Sequence, residues 1–341
     1  MAAFNAVLLA YLRTYASKST TFYIPLSNIP RADLALRPEL TPVLSRANLK
    51  PQDLITLSEL PGRLNSRWIL VDHNALQGEL GKQYSSSVIG VVDHHDEEEK
   101  VPLDCGQEPR IIEKAGSCAS LVVKYCKEAW DELSERDSTG DKELAALAMG
   151  PVLVDTQNLT FESKTTEIDR EAVRYLEGMG VEREEYLKDI SRAKEDIGGL
   201  SLEDILRKDY KQWTETSTLG VSSSVKDLSF LIEKAGNEKK FFDALRKFAE
   251  ERELDICSIM TTSHPEGVFK RELLVWALNE KSVKAAKSFE AHSTEKLGLT
   301  TWKEGALDVD NQSQWTKSWW QERVENSRKQ VAPLLRTAIN E

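Results

Sequence analysis

A chain of 341 residues with 40% hydrophobic and 30% charged residues can bury two cores of ordinary domain size, and it lacks the apolar depletion that marks disorder. Its net charge of −11 speaks against a general nucleic-acid or membrane-surface binder, which needs a basic excess to neutralise phosphates. An anionic substrate therefore has to be met locally, by bound dications or a few convergent basic side chains.

Cys105, Cys118, Cys126 and Cys257 form no CxxC pair and read as reduced thiols. The opening MAAFNAVLLAYLRTYASK has no basic residue ahead of its apolar stretch and is a poor signal peptide, and no apolar run reaches membrane-spanning length. A cytoplasmic protein that engages neither membrane nor nucleic acid is expected.

In chain order, AVLLAYLRTYA predicts a helix, and TTFYIPL, residues 20–26, predicts a strand ending at proline. SRWILVDHN, SSVIGVVDHH and MGPVLVDTQ are three short apolar runs, each closing on a cluster with aspartate, and they predict parallel strands buried on both faces. GSCASLVVKYCKEAWDELSE between the second and third has helical spacing, and Arg136–Lys142 should be a loop. In such open sheets ligands bind beyond the carboxyl ends of the strands, where all three clusters fall.

From Thr165 to Trp213 the chain is charged and helical in pattern, with Gly198 and Gly199 interrupting it, and the hinge between domains is expected there. Beyond it KDLSFLIEK and FFDALRKFAEERE predict helices, LDICSIMTT and RELLVWALN strands, and WTKSWWQERVENSRKQVAPLL a helix leading to a basic turn.

The residues that carry chemistry are Asp72 and His73, then Asp93, His94 and His95, then Asp155. Carboxylates with one or two imidazoles suit manganese, magnesium or related dications, and no thiolate stands in these motifs to favour a soft site. Two such ions lower the pKa of a shared water and stabilise the attacking and leaving oxygens of a phosphoryl displacement. Taken singly, each motif reads as a strand-end cap or turn; together they point to a metal site. Arg328 and Lys329 supply a bidentate fork and a point charge for phosphate, although a basic pair in a last helical turn is ordinarily solvated.

Lys194, Lys208 and Lys211 are further cations near the hinge, where most lysines are simply solvated. Glu97, Glu98 and Glu99 read as a solvent-facing run. Trp302, Trp315, Trp319 and Trp320 read as core packing, and the isolated His264 and His292 are set aside.

VVDHH at 91–95, preceded by LVDHN at 70–74 and followed by LVDT at 153–156, resembles the DHH phosphoesterase superfamily. SRKQVAP at 327–333 is similar to the signature of the C-terminal domain shared by family II inorganic pyrophosphatases and eukaryotic exopolyphosphatases. IPLSNIPRADLALRPEL at 24–40 and EPRIIEKAGSCASLVVKY at 108–125 resemble fungal-type cytosolic exopolyphosphatases, and the GGGH element of the nuclease-like branch is absent.

The resemblance implies an α/β fold, with a DHH domain at residues 1–190 holding a mainly parallel sheet flanked by helices. A smaller C-terminal α/β domain at 191–341 would carry the SRKQ motif, with the active site in the cleft between them. It implies Asp72, His94 and Asp155 as metal ligands, Asp93 as an orienting or assisting group, and His95 facing the transferred phosphoryl group. Lys194, Arg328 and Lys329 would hold the phosphate chain. Two or more Mn2+ or Mg2+ ions and a monomeric, exopolyphosphatase-like hydrolase are expected.

The family opens with a strand bearing a D-x-D pair, whereas no aspartate here precedes Asp33. The expectation is an incomplete start that lacks the first strand and part of the metal site. The alternatives are a pyrophosphatase or other short-chain hydrolase, and a catalytically impaired polyphosphate-binding protein.

Overall fold

The apolar runs that begin at Trp68 and Val88 form strands lying side by side. In the computed structural model, which describes residues 1–15, 21–62, 64–311 and 313–340, the chain divides into two compact units, Met1–Lys194 and Glu195–Glu341.

The first unit runs α1 (Ala2–Tyr15), α2 (Leu40–Arg46), β1 (Trp68–Val71), α3 (Gly78–Tyr84), β2 (Val88–Asp93), β3 (Arg110–Ile112), α4 (Cys118–Arg136), α5 (Asp141–Thr156), α6 (Glu167–Gly178) and α7 (Arg183–Glu195). Its sheet is parallel, in the order β1-β2-β3, with Val71 level with Val92 and Asp93 level with Ile112. All three carboxyl ends therefore open on one edge. Asp72 follows β1, Asp93 closes β2, and the turn at Ala115, Gly116 and Ser117 follows β3. Leu8 and Leu12 of α1, Val122 and Trp130 of α4, and Leu147 and Val152 of α5 share one fully buried core.

Two expectations fail here. MGPVLVDTQ is the end of helix α5, not a strand. The apolar run in fact starts at Leu144, is rich in alanine, and is buried on every face from Ala145 to Leu153. A fully buried helix shows no periodicity, and its length decides in favour of helix. The third strand is instead Arg110–Ile112, only three residues long. Thr20 lies outside the described residues, and Thr21–Leu26 belong to no strand; the nearest pairing is an isolated bridge between Ser27 and Thr56.

The second unit runs α8 (Leu202–Lys208), β4 (Tyr210–Thr214), β5 (Thr218–Ser224), α9 (Leu228–Ala235), α10 (Glu238–Glu250), β6 (Ile256–Ser263), β7 (Lys270–Ala277), α11 (Glu280–Leu297), β8 (Leu299–Thr301), β9 (Val309–Asp310), β10 (Trp315–Gln321) and α12 (Arg328–Asn340). The sheet order is β4-β5-β6-β7-β10-β8, with β9 also on β10. Both faces are covered. Leu273 and Val275 pack with Phe289, Trp315, Trp319 and Val331 on one side, while Leu274 and Trp276 pack with Phe241, Ile259 and Trp302 on the other.

The segment expected as a helix from Trp315 is strand β10 followed by a separate helix, α12. β10 pairs with β7, β8 and β9 and is covered on both faces, which erases the alternation that would have revealed a strand. Tyr210–Thr214 is likewise a strand, not a continuation of the helical stretch. Trp302, Trp315 and Trp319 are core as expected, while Trp320 is partly buried and packs against the cluster of Trp276 and Trp302.

Candidate metal centre

β1 delivers Asp72 in a left-handed conformation, φ 69°, which aspartate tolerates better than most side chains. One ligand atom each from Asp72, His94 and His95 lies within 4.8 Å of the others. His94 Nδ1 is 2.9 Å from the Ala115 carbonyl, which can only accept, so that nitrogen carries the proton and Nε2 presents a lone pair in the neutral ring. That lone pair faces Asp72 Oδ1 at 3.3 Å. Two electron-rich atoms so placed need positive charge, either a proton on the imidazole or a cation beside both. Burial alone would lower the His94 pKa, but Asp72, the Ala115 carbonyl and Asp155 together raise it. The site has the nitrogen and carboxylate donors that manganese and similar dications take, so the residues fit such an ion.

Asp93 is fully buried and turns both oxygens to donors: Asn74 Nδ2 at 2.6 Å, the His94 N–H at 2.8 Å and His95 Nδ1 at 2.8 Å. The Asn74 amide cannot flip freely, because its Oδ1 accepts from the Glu98 N–H at 2.7 Å while Nδ2 also reaches the Asp96 carbonyl. Burial pushes the Asp93 carboxyl up, yet the bonds from His95, Asn74 and His94 outweigh it and hold the group below the usual carboxylate range. An ionised Asp93 fixes the His95 proton on Nδ1, leaving Nε2 as the ring's other nitrogen without a partner in Asp93, on a largely exposed side chain.

Asp155 comes from the last turn of α5, not from a strand end. Its Oδ2 accepts from Ser117 Oγ at 2.7 Å, and it lies outside the tight trio while contributing to the field at His94. Burial raises its pKa, as does Asp72, against the Ser117 hydrogen bond. Gln157, Asn158 and Leu159 follow with positive φ, a left-handed turn of the strained kind found near functional sites. His73 turns away. Its Nδ1 meets the Val71 carbonyl at 3.0 Å, and it lines an apolar cavity of about 530 Å3 with Leu9, Phe22, Trp68 and Leu70 that contains none of the trio.

In the second unit Arg328 and Lys329 open helix α12; they do not trail a helix. Ser327 and Gln330 close the helix start on each other, the Ser327 N–H and Oγ both donating to Gln330 Oε1 at 2.9 Å. Arg328 donates to the Asp209 carboxylate at 2.7 Å and to its carbonyl at 3.0 Å, and Lys329 is exposed. Lys194 is exposed in the last turn of α7, in the first unit. Four residues around the trio escaped the sequence reading: Asn74, Ala115, Ser117 and Asp169. Only Asp169 had a signal, the Thr166-x-x-Asp169 spacing of a capping box.

A DHHA2 domain matches residues 188–338. A candidate exopolyphosphatase of Schizosaccharomyces pombe is 33% identical over 331 residues, covering 93% of this chain and 83% of that protein. The chain belongs to the exopolyphosphatase family of DHH phosphoesterases. Beside this family member stands the manganese-dependent inorganic pyrophosphatase of Bacillus subtilis, 26% identical over 279 residues, 80% of this chain and 77% of that one. The crystal structure of a candidate family II inorganic pyrophosphatase from Methanococcus jannaschii shares the fold, with TM-score 0.54 and 22% identity over 99% of this chain and 95% of that chain. As in that structure, the family member is α/β throughout, and among its described residues no helix is long and apolar enough to cross a membrane.

Proposed function

We propose that this chain is a divalent-metal-dependent phosphoanhydride hydrolase that releases terminal phosphate from inorganic polyphosphate. The observation that carries the reading is the opposed pair of His94 Nε2 and Asp72 Oδ1, 3.3 Å apart, at the carboxyl edge of a parallel sheet. Asp72, His94 and Asp155 would hold the ion, and the manganese dependence in the name of the B. subtilis relative supports Mn2+ ahead of Mg2+. A bound dication would supply Lewis-acid stabilisation of phosphoryl oxygens and acidify water.

This chain's own residues do the rest. Asp93 holds the His95 ring so that Nε2 points out toward a phosphoryl oxygen, where the ring can donate or accept a proton. Arg328 and Lys329 neutralise phosphate charge. Two cations at a helix start oppose the helix dipole, and an anion bound there would relieve that conflict. Lys194 is assigned the same task in the first unit. The four free thiols favour a reducing compartment such as the cytoplasm.

The sequence relation to the B. subtilis enzyme favours pyrophosphate hydrolysis as the second reading. The test is phosphate release from long-chain polyphosphate and from pyrophosphate with Mn2+. Release from the polymer at the higher kcat/KM supports the first reading, and preference for pyrophosphate supports the second.

A further inference from the structure

Asp169, in the first turn of α6, is fully buried. Its carboxylate accepts from the Thr166 N–H at 2.7 Å and Thr166 Oγ1 at 2.8 Å, the bonds that cap its own helix. It also accepts from the Gly116 N–H at 2.8 Å, the Ser117 N–H at 3.0 Å and Ser120 Oγ at 2.7 Å. Capping α6 needs only the first two of these bonds. The other three reach back 49 to 53 residues along the chain, two to the turn after β3 and one to Ser120 in the first turn of α4.

That turn is where the site is tied together. The Ala115 carbonyl accepts from His94 at 2.9 Å, and Ser117 Oγ donates to Asp155 at 2.7 Å. Between them, a Cβ at Gly116 would stand 2.7 Å from Thr156 Cγ2 and 2.8 Å from Asp169 Oδ2, so the backbone is pressed against both neighbours with no room for a side chain. Ala115 thus holds a ring from the end of β2 and Ser117 a carboxylate from the end of α5, and Asp169 holds the Gly116 and Ser117 amides that join them.

We propose that Asp169 is a positioning residue of the metal centre, setting the spacing of His94 and Asp155 through the turn at 115–117. The proposal rests on the metal-site reading above. Asp169 reaches those ligands only through the turn; partners of this kind, one layer behind a metal's ligands, commonly change metal affinity by about 10–100-fold when removed.

The test uses the full chain and Asp169→Asn, whose amide nitrogen, at either oxygen's place, turns a donor toward at least one backbone N–H that can only donate. Mn2+ affinity is measured by calorimetry, and the His94 Nδ1 proton is followed by NMR in the metal-free protein. The expected result is Mn2+ binding weakened by about 10–100-fold, together with loss or fast exchange of the His94 signal. Ser120→Ala, which trims one bond and spares the α6 cap, should move both readouts the same way by less.

A variant that melts at lower temperature yet binds Mn2+ as the parent does and keeps the His94 signal would reduce Asp169 to a helix cap and overturn the proposal. If Asp169→Asn does not fold, Ser120→Ala decides, and unchanged affinity and signal there overturn it too. If the parent binds no Mn2+ while the His94 signal still responds to Asp169→Asn, the metal reading falls and the clamp on the ring stands.

Discussion

His94 and Asp72 face each other across 3.3 Å, with the far nitrogen of the ring already committed to the Ala115 carbonyl. The pair cannot relax by switching tautomer, because moving the proton to Nε2 would set a lone pair against that carbonyl. The geometry calls for positive charge, which a proton on the imidazole or a bound cation would supply. His94→Ala or Asp72→Asn should therefore weaken Mn2+ binding by more than about a hundredfold, beyond the range for residues behind the ligands. In the parent, Mn2+ at a hundred times its Kd should add about 2.7 kcal/mol to stability, which a chelator removes. Calorimetry and thermal melts with and without chelator check both, and a melting temperature indifferent to Mn2+ would contradict the assignment.

Asp93 fixes which nitrogen of His95 is free. Asp93→Asn keeps the shape, but its amide lets the ring adopt the other tautomer. A fall in kcat of about 10²–10³-fold is expected, in the range ascribed to a positioned acid or base, with Mn2+ affinity changed far less. Steady-state kinetics beside a metal titration separate the two, and unaltered kcat would remove His95 from proton transfer.

Burial pushes the Asp169 carboxyl up, but bonds from Thr166, Ser120 and Gly116 outweigh it and leave the folded pKa below the ordinary value. The unfolded chain then takes up the proton first as pH falls. The stabilisation is complete above about pH 4, the unfolded aspartate value, and is lost as pH drops through the folded pKa. Urea melts between neutral pH and pH 2 should show the parent losing stability more steeply over that acid range than Asp169→Asn. Parallel pH profiles would contradict this.

Lys329 is exposed at the start of α12. Replacing it with alanine should raise KM for polyphosphate about tenfold, equivalent to roughly 1.4 kcal/mol, and leave Mn2+ binding as it was. A KM unchanged at low and high salt would make Lys329 a solvated surface charge.

Much of this site was legible in the sequence, because β1 and β2 are short apolar runs that each end on their chemistry: Asp72 after one, and Asp93, His94 and His95 at the other. Asp155 was found for an incorrect reason. A helix buried on all sides carries the same apolar run as a buried strand, and Gly150 within it is a close contact, where a Cβ would stand 2.8 Å from Val43 and 3.0 Å from the Tyr186 hydroxyl. β10 misled in the opposite direction, since a central strand shows no alternation. The capping-box spacing marks Asp169 only as a helix cap, and its link to Ser117 was invisible because it depends on a backbone N–H brought to it by folding across more than fifty residues.

The most direct test is phosphate release from long-chain polyphosphate by this chain with Mn2+, run beside Asp72→Asn. The account predicts release that a chelator stops, that added Mn2+ restores, and that Asp72→Asn lacks. Release that persists in the chelator or in Asp72→Asn, or no release with Mn2+ bound, would contradict a hydrolytic metal centre at Asp72 and His94.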